Sequence, residues 1–279
     1  MRVKRSIRKQ YLNILILGCD TVIGIQEVKN PTKSQKCMRS DAMTVASINK
    51  ATGKIRFISL MMDVWVPIPG FGMGKLNAPV VFGGPRLSVK VVNEAFSLYI
   101  RKYVMINIFD MIEFIDSIGG IDIEITDEEA AYIDDRIYDT RDIAHRDYEI
   151  TFLGKGGLRH LNGLQAVEHT RDRYVGYIAG RENRINDVIK AVIKKVKSEM
   201  SFTEALMFAL RSLKYVKTNI GIITGLRILR YGLKADLNSI ETYHAPGAGT
   251  YEIKKDGTWR METDFNKASY FLWKFIMKE

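Results

Sequence analysis

Runs of apolar residues define three short segments in the first part of the chain. Residues 12–17 are apolar apart from Asn13, and residues 42–48 and 55–60 form two further apolar-rich segments. Short apolar runs of this kind are typical of strands buried on both faces of a sheet. A short turn at residues 49–53 ends in glycine and joins the second and third segments, so we expect these two to form a β-hairpin.

A helical period appears later in the chain. Apolar residues recur at spacings of three and four from Ile185 to Val196, which predicts an amphipathic helix from about residue 181 to residue 197. Pro85 is expected to open an earlier helix. The other predicted elements are helices at 109–118, 162–169, 201–233 (two) and 266–277, and strands at 103–108, 121–125, 240–243, 250–253 and 258–261.

Strands and helices that follow one another in this way predict the α/β class. We expect a single domain with a central mixed β-sheet flanked by helices on both faces, an α-β-α arrangement. The sequence contains no Pro/Ser-rich linker that would divide the chain. The predicted boundaries are a basic N-terminal segment over residues 1–10 and one domain over residues 11–279.

The overall charge narrows the class of binding partner. The 279 residues carry a formal net charge of +10, and the calculated pI is about 9.4. A basic surplus favours polyanions such as anionic lipid head groups, phosphorylated glycans or nucleic acid. The sequence contains no zinc-finger spacing, helix-turn-helix pattern or RNA-binding signature. We therefore expect no nucleic-acid partner.

Two features of the N-terminal region bear on location. The apolar run at residues 11–18 is too short for a transmembrane helix or a signal-peptide core, so it predicts the first core strand. Cys19 and Cys37 are the two cysteines of the chain, and they do not form a framework that reports the compartment. We expect two free thiols, with a disulfide as the alternative.

Three aspartates lie at the ends of the predicted strands. Asp20 follows the first strand, Asp41 precedes the second, and Asp63 follows the third. The hairpin should place Asp41 and Asp63 at the same end, and Lys75 lies close behind in the sequence. Carboxylates and a cation at one sheet edge indicate a site for a metal ion and a phosphate, and buried ion pairing is the alternative.

Two arginines extend the apolar stripe of the helix predicted at residues 181–197. Arg181 and Arg184 lie one turn before Ile185 and Val188, at the end where free N–H groups carry partial positive charge. This combination predicts an anion site. The alternative is pairing with an acidic residue of the same fold, such as Glu182 or Asp172.

Several short motifs, in order, resemble one known family. They are the segment 13–20, Arg39-Ser40-Asp41, Lys75-Leu76-Asn77 with Gly83-Gly84, the segment 161–166, and Arg171-Asp172-Arg173. Over roughly residues 11–200 their order and spacing resemble the LytR-CpsA-Psr family of bacterial cell-envelope phosphotransferases.

The resemblance implies an enzyme of the cell envelope. Such an enzyme transfers a phosphorylated glycopolymer from a polyprenyl-diphosphate carrier to a peptidoglycan acceptor with Mg²⁺ or Mn²⁺, and so attaches teichoic acid or capsule. It implies a monomer at the membrane surface, on the outer face of the cytoplasmic membrane. Members usually carry an N-terminal anchor. Either this anchor lies outside the present chain or this member works without one, and a cytoplasmic location is the alternative.

The resemblance also assigns roles to individual residues. It implies that the metal ligands are Asp20 and Asp41. The implied catalytic residues are Arg171, Arg173, Arg181 and Asp63. The implied substrate-binding residues are Arg39, Lys75, Asn77 and Arg184.

Three positions depart from the family pattern. Met62 stands where the family usually has arginine before Asp63, Ile178 where it often has aspartate, and Ile185 where it usually has glutamine. A degenerate member would bind a polyprenyl phosphate or an envelope glycan without turnover. The sequence therefore leaves two functions open, an active phosphotransferase and a non-catalytic binding module.

Overall fold

The structure is a computed structural model that describes residues 5–20, 39–144, 149–172, 174 and 177–278. The strands, in chain order, are β1 (Tyr11–Asp20), β2 (Arg39–Asn49), β3 (Ile55–Leu60), β4 (Trp65–Ile68), β5 (Gly72–Lys75), β6 (Ile100–Asn107), β7 (Ile121–Ile125), β8 (Gly157–Leu161), β9 (Lys217–Thr218), β10 (Glu241–Ala245), β11 (Tyr251–Lys254) and β12 (Arg260–Thr263). The α-helices are α1 (Arg5–Gln10), α2 (Pro79–Phe96), α3 (Ile108–Ser117), α4 (Asp127–Ala144), α5 (Gly163–Arg171), α6 (Tyr177–Glu199), α7 (Phe202–Arg211), α8 (Ile222–Lys234) and α9 (Phe265–Ile276).

These elements form two compact units. The first unit comprises Met1–Met105 and Lys217–Glu279, and the second comprises Ile106–Val216. The predicted division into a basic segment at residues 1–10 and a domain at residues 11–279 stays a prediction.

The first unit contains a six-stranded sheet in the order β10-β3-β2-β1-β6-β9. The pairs β1–β2 and β2–β3 are antiparallel, whereas β10 pairs in parallel with β3, so the sheet is mixed. The apolar runs predicted as strands are β1, β2 and β3, and every residue of β3 is buried. The predicted α/β class, with a central mixed sheet flanked by helices, is confirmed.

One apolar core holds the first unit together. Leu15, Val45 and Ile58 from the three central strands pack with Phe96 of α2 and Trp273 of α9, all nearly inaccessible to solvent. The three strands supply this core because their side chains are apolar on both faces of the sheet. The polar residues at the ends of the β2–β3 hairpin are therefore attached to strands that are tightly packed in the core.

The second unit has its own apolar core. Ile115 of α3, Ile121 and Leu161 of the β7–β8 pair, and Ile133 of α4 are fully buried in it. Helix α5 begins directly against α3: a Cβ atom on Gly163 would lie 2.2 Å from the carbonyl oxygen of Ile112. Glycine is therefore required there, and the close contact fixes where α5 starts.

Two helices begin earlier than the sequence predicts. Helix α2 begins at Pro79, is interrupted at Gly83 and Gly84, whose backbone angles are not helical, and resumes at Pro85, where the sequence predicts a helix start. Helix α6 begins at Tyr177, so the loop expected up to Gly180 is partly helical. Glycine permits the kink because it tolerates backbone angles that other residues avoid.

No helix within the described residues is long and apolar enough to cross a membrane.

The expectation of free thiols is wrong. Cys19, at the end of β1, is disulfide-bonded. The other cysteine in the sequence is Cys37, which lies outside the described residues. Sequence spacing could not show this bond, because a disulfide needs two Cβ atoms to approach within about 4 Å in the folded chain.

Candidate functional site

A β-bulge displaces Asp41 from the regular strand pairing. Gly18 pairs with Ala42 and Cys19 pairs with Ser40, so the pairing register between β1 and β2 skips Asp41. A bulge of this kind re-aims a side chain and is common beside functional sites. A Cβ atom on Gly18 would lie 2.8 Å from that of Ala42, so glycine lets the two strands approach here. The half-buried Asp41 is thus set apart from the alternating side chains of β2.

Asn77, which follows β5, is hydrogen-bonded to the open end of the β2–β3 hairpin. Its backbone N–H donates to the Met62 carbonyl at 3.3 Å, and its own carbonyl accepts from the Ser40 N–H at 3.4 Å. Its side-chain Nδ2 donates to Asp41 Oδ1 at 3.1 Å. Asn77 is buried, so these bonds hold residues 40, 41, 62 and 77 in one fixed arrangement.

Lys75 and Asp63 form an ion pair beside this arrangement. Lys75 Nζ lies 2.6 Å from Asp63 Oδ1, and both side chains are largely buried. The same ammonium group lies over the ring of Trp259, 5.6 Å from its centroid. Ion pairing, the alternative left open by the sequence, is therefore present for these two residues.

The donor atoms at the hairpin end suit a hard cation. Asn77 Oδ1 is buried and has no hydrogen-bond donor among the described residues. The nitrogen of the same side-chain amide, Nδ2, donates to Asp41. Carboxylate and amide oxygens are ligands that Mg²⁺ accepts. No group of three metal-ligating side chains occurs within the described residues. The residues present therefore fit a cation that keeps several water or phosphate oxygens.

Two other predicted residues lie at this end of the sheet. Asp20 and Arg39 are paired residues of β1 and β2, which places the backbone of Asp20 beside the start of the hairpin. The side chain of Asp20 lies outside the described residues. Arg39 is exposed. Their assignments stay predictions.

In the second unit, Arg171 is held by two neighbouring side chains. A capping box formed by Asn162 and Gln165 starts α5, and Arg171 is its last residue. The Arg171 guanidinium donates to Thr140 Oγ1 at 2.7 Å and to Glu168 Oε1 at 3.1 Å. The Thr140 hydroxyl also donates to Glu168. Glu168 is buried, and burial raises the pKa of its carboxyl.

Arg181 contacts the same end of α5. Its Nε donates to the Thr170 carbonyl oxygen at 3.3 Å. Arg171 belongs to the last turn of α5 and Arg181 donates to it, so this turn connects two of the residues predicted to be catalytic. Arg173, the third predicted arginine, lies outside the described residues.

Arg184, which is predicted to bind substrate, has two carboxylate partners in the second unit. It is buried, and its guanidinium lies 3.0 Å from Glu129 Oε1 and 3.5 Å from Asp172 Oδ2. It also donates to the Asp172 carbonyl at 2.6 Å. Two buried carboxylates need a cation, because unpaired charge is costly in the interior. We therefore assign Arg184 to this ion-pair cluster, which is the pairing with Asp172 that the sequence left open.

The model of the LytR_cpsA_psr family matches residues 2–271 of the chain. The chain belongs to this family. It is 32% identical over 205 residues to the polyisoprenyl-teichoic acid–peptidoglycan teichoic acid transferase TagU of Oceanobacillus iheyensis, covering 71% of this chain and 55% of that protein. The chain is also 29% identical over 85% of its own length to biofilm regulatory protein A of Streptococcus mutans, and it spans 57% of that protein. It therefore covers less than two thirds of the length of each of these two relatives.

Solved structures of the family share the fold. The crystal structure of B. subtilis TagV superposes with a TM-score of 0.72 at 23% identity, covering 97% of this chain and 99% of that one. The LytR-CPS2A-psr family protein YwtF (TagT) with bound octaprenyl pyrophosphate lipid superposes with a TM-score of 0.66 at 19% identity, covering 99% and 94%. These likenesses establish the LytR_cpsA_psr fold for the chain.

The residues that depart from the family pattern have identifiable positions. Met62 contributes its backbone carbonyl to Asn77, a contact that does not depend on its side chain. Ile185 is half-buried on α6. The side chain of Ile178 lies outside the described residues.

Several residues of the arginine region were missed by the sequence reasoning. Glu168 precedes Arg171 by three residues, the spacing at which helical side chains meet, so a signal for this pair was present. Glu129 and Thr140 gave no comparable signal, because they belong to α4 and lie far from their partners in sequence. Their contacts exist only in the folded chain.

His169 should make stability depend on pH. Burial lowers the pKa of His169 to about 4, with Glu129, Asp172 and Arg184 as its charged neighbours. The folded state therefore favours the neutral ring, and this contribution is complete above the unfolded pKa of 6.5 and is lost as the pH falls towards 4. Between pH 7 and pH 4.5 the loss should be about 2–3 kcal/mol. Denaturant unfolding at these two pH values should show a smaller loss for His169→Phe than for the unsubstituted chain.

The exposed His160 provides the control for this experiment. It is 57% exposed on β8, beside Asp122, and His160→Gln should leave most of the pH dependence in place. An unchanged pH dependence in His169→Phe would contradict the prediction, because the acid sensitivity would then arise from other groups.

Proposed function

We propose that the chain is a Mg²⁺- or Mn²⁺-dependent phosphotransferase. It transfers a phosphorylated glycopolymer from a polyprenyl-diphosphate carrier to a hydroxyl group of a peptidoglycan acceptor, and teichoic acid or capsule is thereby attached. The observation that carries the proposal is the hydrogen bond between the bulged Asp41 and Asn77. The buried Oδ1 atom of Asn77 lacks a hydrogen-bond donor among the described residues. The names of the transferase relatives support the same reaction.

The hairpin end is assigned to the cation. Asp41 would supply one carboxylate, Asn77 an amide oxygen, and Asp20 a second carboxylate from the neighbouring strand end. A bound Mg²⁺ neutralises charge on phosphate oxygens during transfer. Asn77 orients the Asp41 carboxylate through its Nδ2. Lys75 and Arg39 would bind phosphate or sugar oxygens, and Asp63 positions the Lys75 ammonium through their ion pair.

Arginines of the second unit are assigned to the diphosphate. A planar guanidinium donates two parallel hydrogen bonds to phosphate oxygens, which suits Arg171 and Arg181. Arg173 is assigned with them on the family resemblance. Glu168 and Thr140 each accept a hydrogen bond from Arg171, so the orientation of its guanidinium is set before a substrate arrives. The Arg171 side chain is 35% exposed and so remains accessible.

An exposed aromatic pair suits an apolar substrate. Phe71 and Phe82 stack with their ring centroids 4.4 Å apart, and they are 53% and 48% exposed. Phe71 lies in the turn before β5, the strand that ends at Lys75. Exposed aromatic surface of this kind marks a binding surface more often than chance, and we assign it to the first part of the polyprenyl chain.

The disulfide supports a location outside the cytoplasm. Disulfides persist in oxidising compartments and are rare in the cytosol, and Cys19 is disulfide-bonded. The proposed location is the outer face of the cytoplasmic membrane, where the lipid-linked donor and the peptidoglycan acceptor are both available.

The test is a transfer assay with a defined donor. The chain is incubated with a short-chain polyprenyl-diphosphate-linked glycan, peptidoglycan fragments and Mg²⁺. The donor P–O–P bond breaks, a phosphodiester forms at the acceptor hydroxyl, and polyprenyl phosphate is released. We expect release that requires both the metal and the acceptor. Donor binding without any release would support the non-catalytic module instead, and absence of binding would contradict both functions.

Arg171→Ala should weaken binding of the diphosphate. Loss of hydrogen bonds to a charged group costs about 1.5–3 kcal/mol, so affinity should fall about 10- to 150-fold. Affinity for the unphosphorylated glycan should change little, because that ligand lacks the charge. Isothermal titration with both ligands measures the two effects.

Arg136 on α4 provides the matched control for Arg171. Its side chain is 43% exposed and pairs with Asp135 and Asp139, so Arg136→Ala removes the same charge without touching α5. Equal losses of affinity in both variants would show a general electrostatic effect and would count against the assignment of Arg171.

A further inference from the structure

Helix α8 presents apolar and basic side chains together to solvent. Ile222 and Ile223, at its start, are 73% and 70% exposed. No residue of the helix is fully buried within the described chain. The sequence of α8 contains Arg227, Arg230 and Lys234 and no acidic residue. A helix with this composition and so little burial is incompletely covered by the described residues of the first unit.

The exposed side chains of α8 share one face. Ile223, Arg227, Arg230 and Lys234 are spaced by four, three and four residues, which aligns them along a helix, and all four are exposed. None of the three cations forms an ion pair with a described residue. We call Ile222, Ile223, Arg227, Arg230 and Lys234 the α8 surface.

Further cations continue this surface across the β2–β3 turn. The Tyr231 hydroxyl donates to the Lys50 carbonyl oxygen at 3.4 Å, which fixes α8 beside the turn. A groove of about 650 Å³ lies between α8 and the turn. Four cations line it, Lys54, Arg227, Arg230 and Lys234, together with a single carboxylate from the described residues, Asp236. The positive charge is therefore concentrated and largely uncompensated.

The α8 surface lies away from the proposed metal site. Asp41 is near the start of β2, and the turn that α8 contacts follows Asn49 at its end. Eight residues of strand separate these positions by about 26 Å. The α8 surface therefore needs a ligand of its own.

We propose that the α8 surface docks on a bilayer that contains anionic lipid. An interfacial helix places apolar side chains among the acyl chains while its arginines and lysines bind lipid phosphates. Ile222 and Ile223 supply the apolar part, and Arg227, Arg230, Lys234, Lys50 and Lys54 supply the cations. A soluble anionic glycan would use the cations but would leave two exposed isoleucines without a role. The inference does not depend on the proposed transfer reaction.

The test is sedimentation of the full chain with vesicles. One set contains equal amounts of phosphatidylcholine and phosphatidylglycerol, and the other contains phosphatidylcholine alone. We expect preferential binding to the anionic vesicles that weakens as salt is raised. Neutralising one cation should weaken binding about fivefold, so Arg227→Gln with Arg230→Gln should weaken it about 25-fold. Ile222→Ser with Ile223→Ser should also weaken binding to the anionic vesicles.

A matched variant removes equal charge elsewhere. Lys255 and Lys274 are exposed residues of the first unit that lie outside the α8 surface, and Lys255→Gln with Lys274→Gln should change binding less than twofold. Thermal unfolding by circular dichroism confirms that each variant is folded. Equal binding to both vesicle types, or equal losses in the two charge variants, would overturn the proposal.

Two other occupants give distinct results that would also overturn it. Binding of soluble inorganic polyphosphate without vesicle binding would identify a polyanion site. Concentration-dependent self-association that the isoleucine variant abolishes, again without vesicle binding, would identify an interface between two copies. Release of polyprenyl phosphate from a water-soluble short-chain donor should be unchanged in every variant, so a failure of the proposed reaction remains distinguishable.

Discussion

Asp41→Ala is expected to abolish metal-dependent transfer while leaving the chain folded. Asp41 is the bulged residue of β2, and Asn77 Nδ2 donates to its carboxylate. Replacing groups that merely support a metal ligand costs about 10- to 100-fold in metal affinity or activity, so loss of a ligand itself should cost at least about 100-fold. Release of polyprenyl phosphate, measured over a range of Mg²⁺ concentrations, gives the effect.

Two control variants test whether the negative charge of Asp41 and its position are both required for activity. Asp41→Asn keeps an oxygen that can accept from Asn77 but removes the negative charge, so it should lose nearly as much activity. Asp135, 79% exposed on α4, provides an exposed carboxylate for comparison, and Asp135→Ala should be fully active. Full activity in Asp41→Ala would rule out its assignment to the metal.

Arg184→Ala is expected to have the largest effect on stability. Arg184 lies between the buried carboxylates of Glu129 and Asp172. Removing one partner of a buried ion pair leaves uncompensated charge and typically costs about 3–5 kcal/mol. Denaturant unfolding at pH 7 should show this loss. Arg136→Ala, which breaks a solvent-exposed pair, should change the free energy of unfolding by less than about 1 kcal/mol.

A compensated variant distinguishes the ion pair from a role in substrate binding. Arg184→Met combined with Glu129→Gln and Asp172→Asn removes the cation and both carboxylates together, and it should recover a large part of the lost stability. If Arg184 bound the diphosphate directly, Arg184→Ala would instead lower affinity and leave the free energy of unfolding unchanged. That outcome would restore the assignment made from the sequence.

The central strands and the neighbourhood of the site follow from the sequence alone. Runs rich in apolar residues at 12–17, 42–48 and 55–60 correspond to β1, β2 and β3, because a strand buried on both faces is mostly apolar. A short turn with glycine then determines that the second and third strands are adjacent and antiparallel. Asp41 and Asp63 consequently had to lie at one end of the hairpin.

The local signals were weaker at helix boundaries. Pro85 starts a helical segment, as predicted, but α2 also contains a first segment from Pro79 that ends at the non-helical Gly83 and Gly84. Both prolines fit the first turn of a helix, and the two glycines separate the segments that they open. The start of α6 at Tyr177 was missed because Gly180 usually lowers helix propensity.

Tertiary structure alone decided how the charged side chains are partnered. The bulge that singles out Asp41 depends on register between β1 and β2, which a sequence pattern with a period of two cannot specify to one residue. Glu129 and Arg184 are 55 residues apart, and the disulfide of Cys19 likewise depends on distance in space. Apolar burial is encoded by local periodicity, whereas an ion pair or disulfide requires two particular atoms to meet, and only the folded chain determines which atoms do.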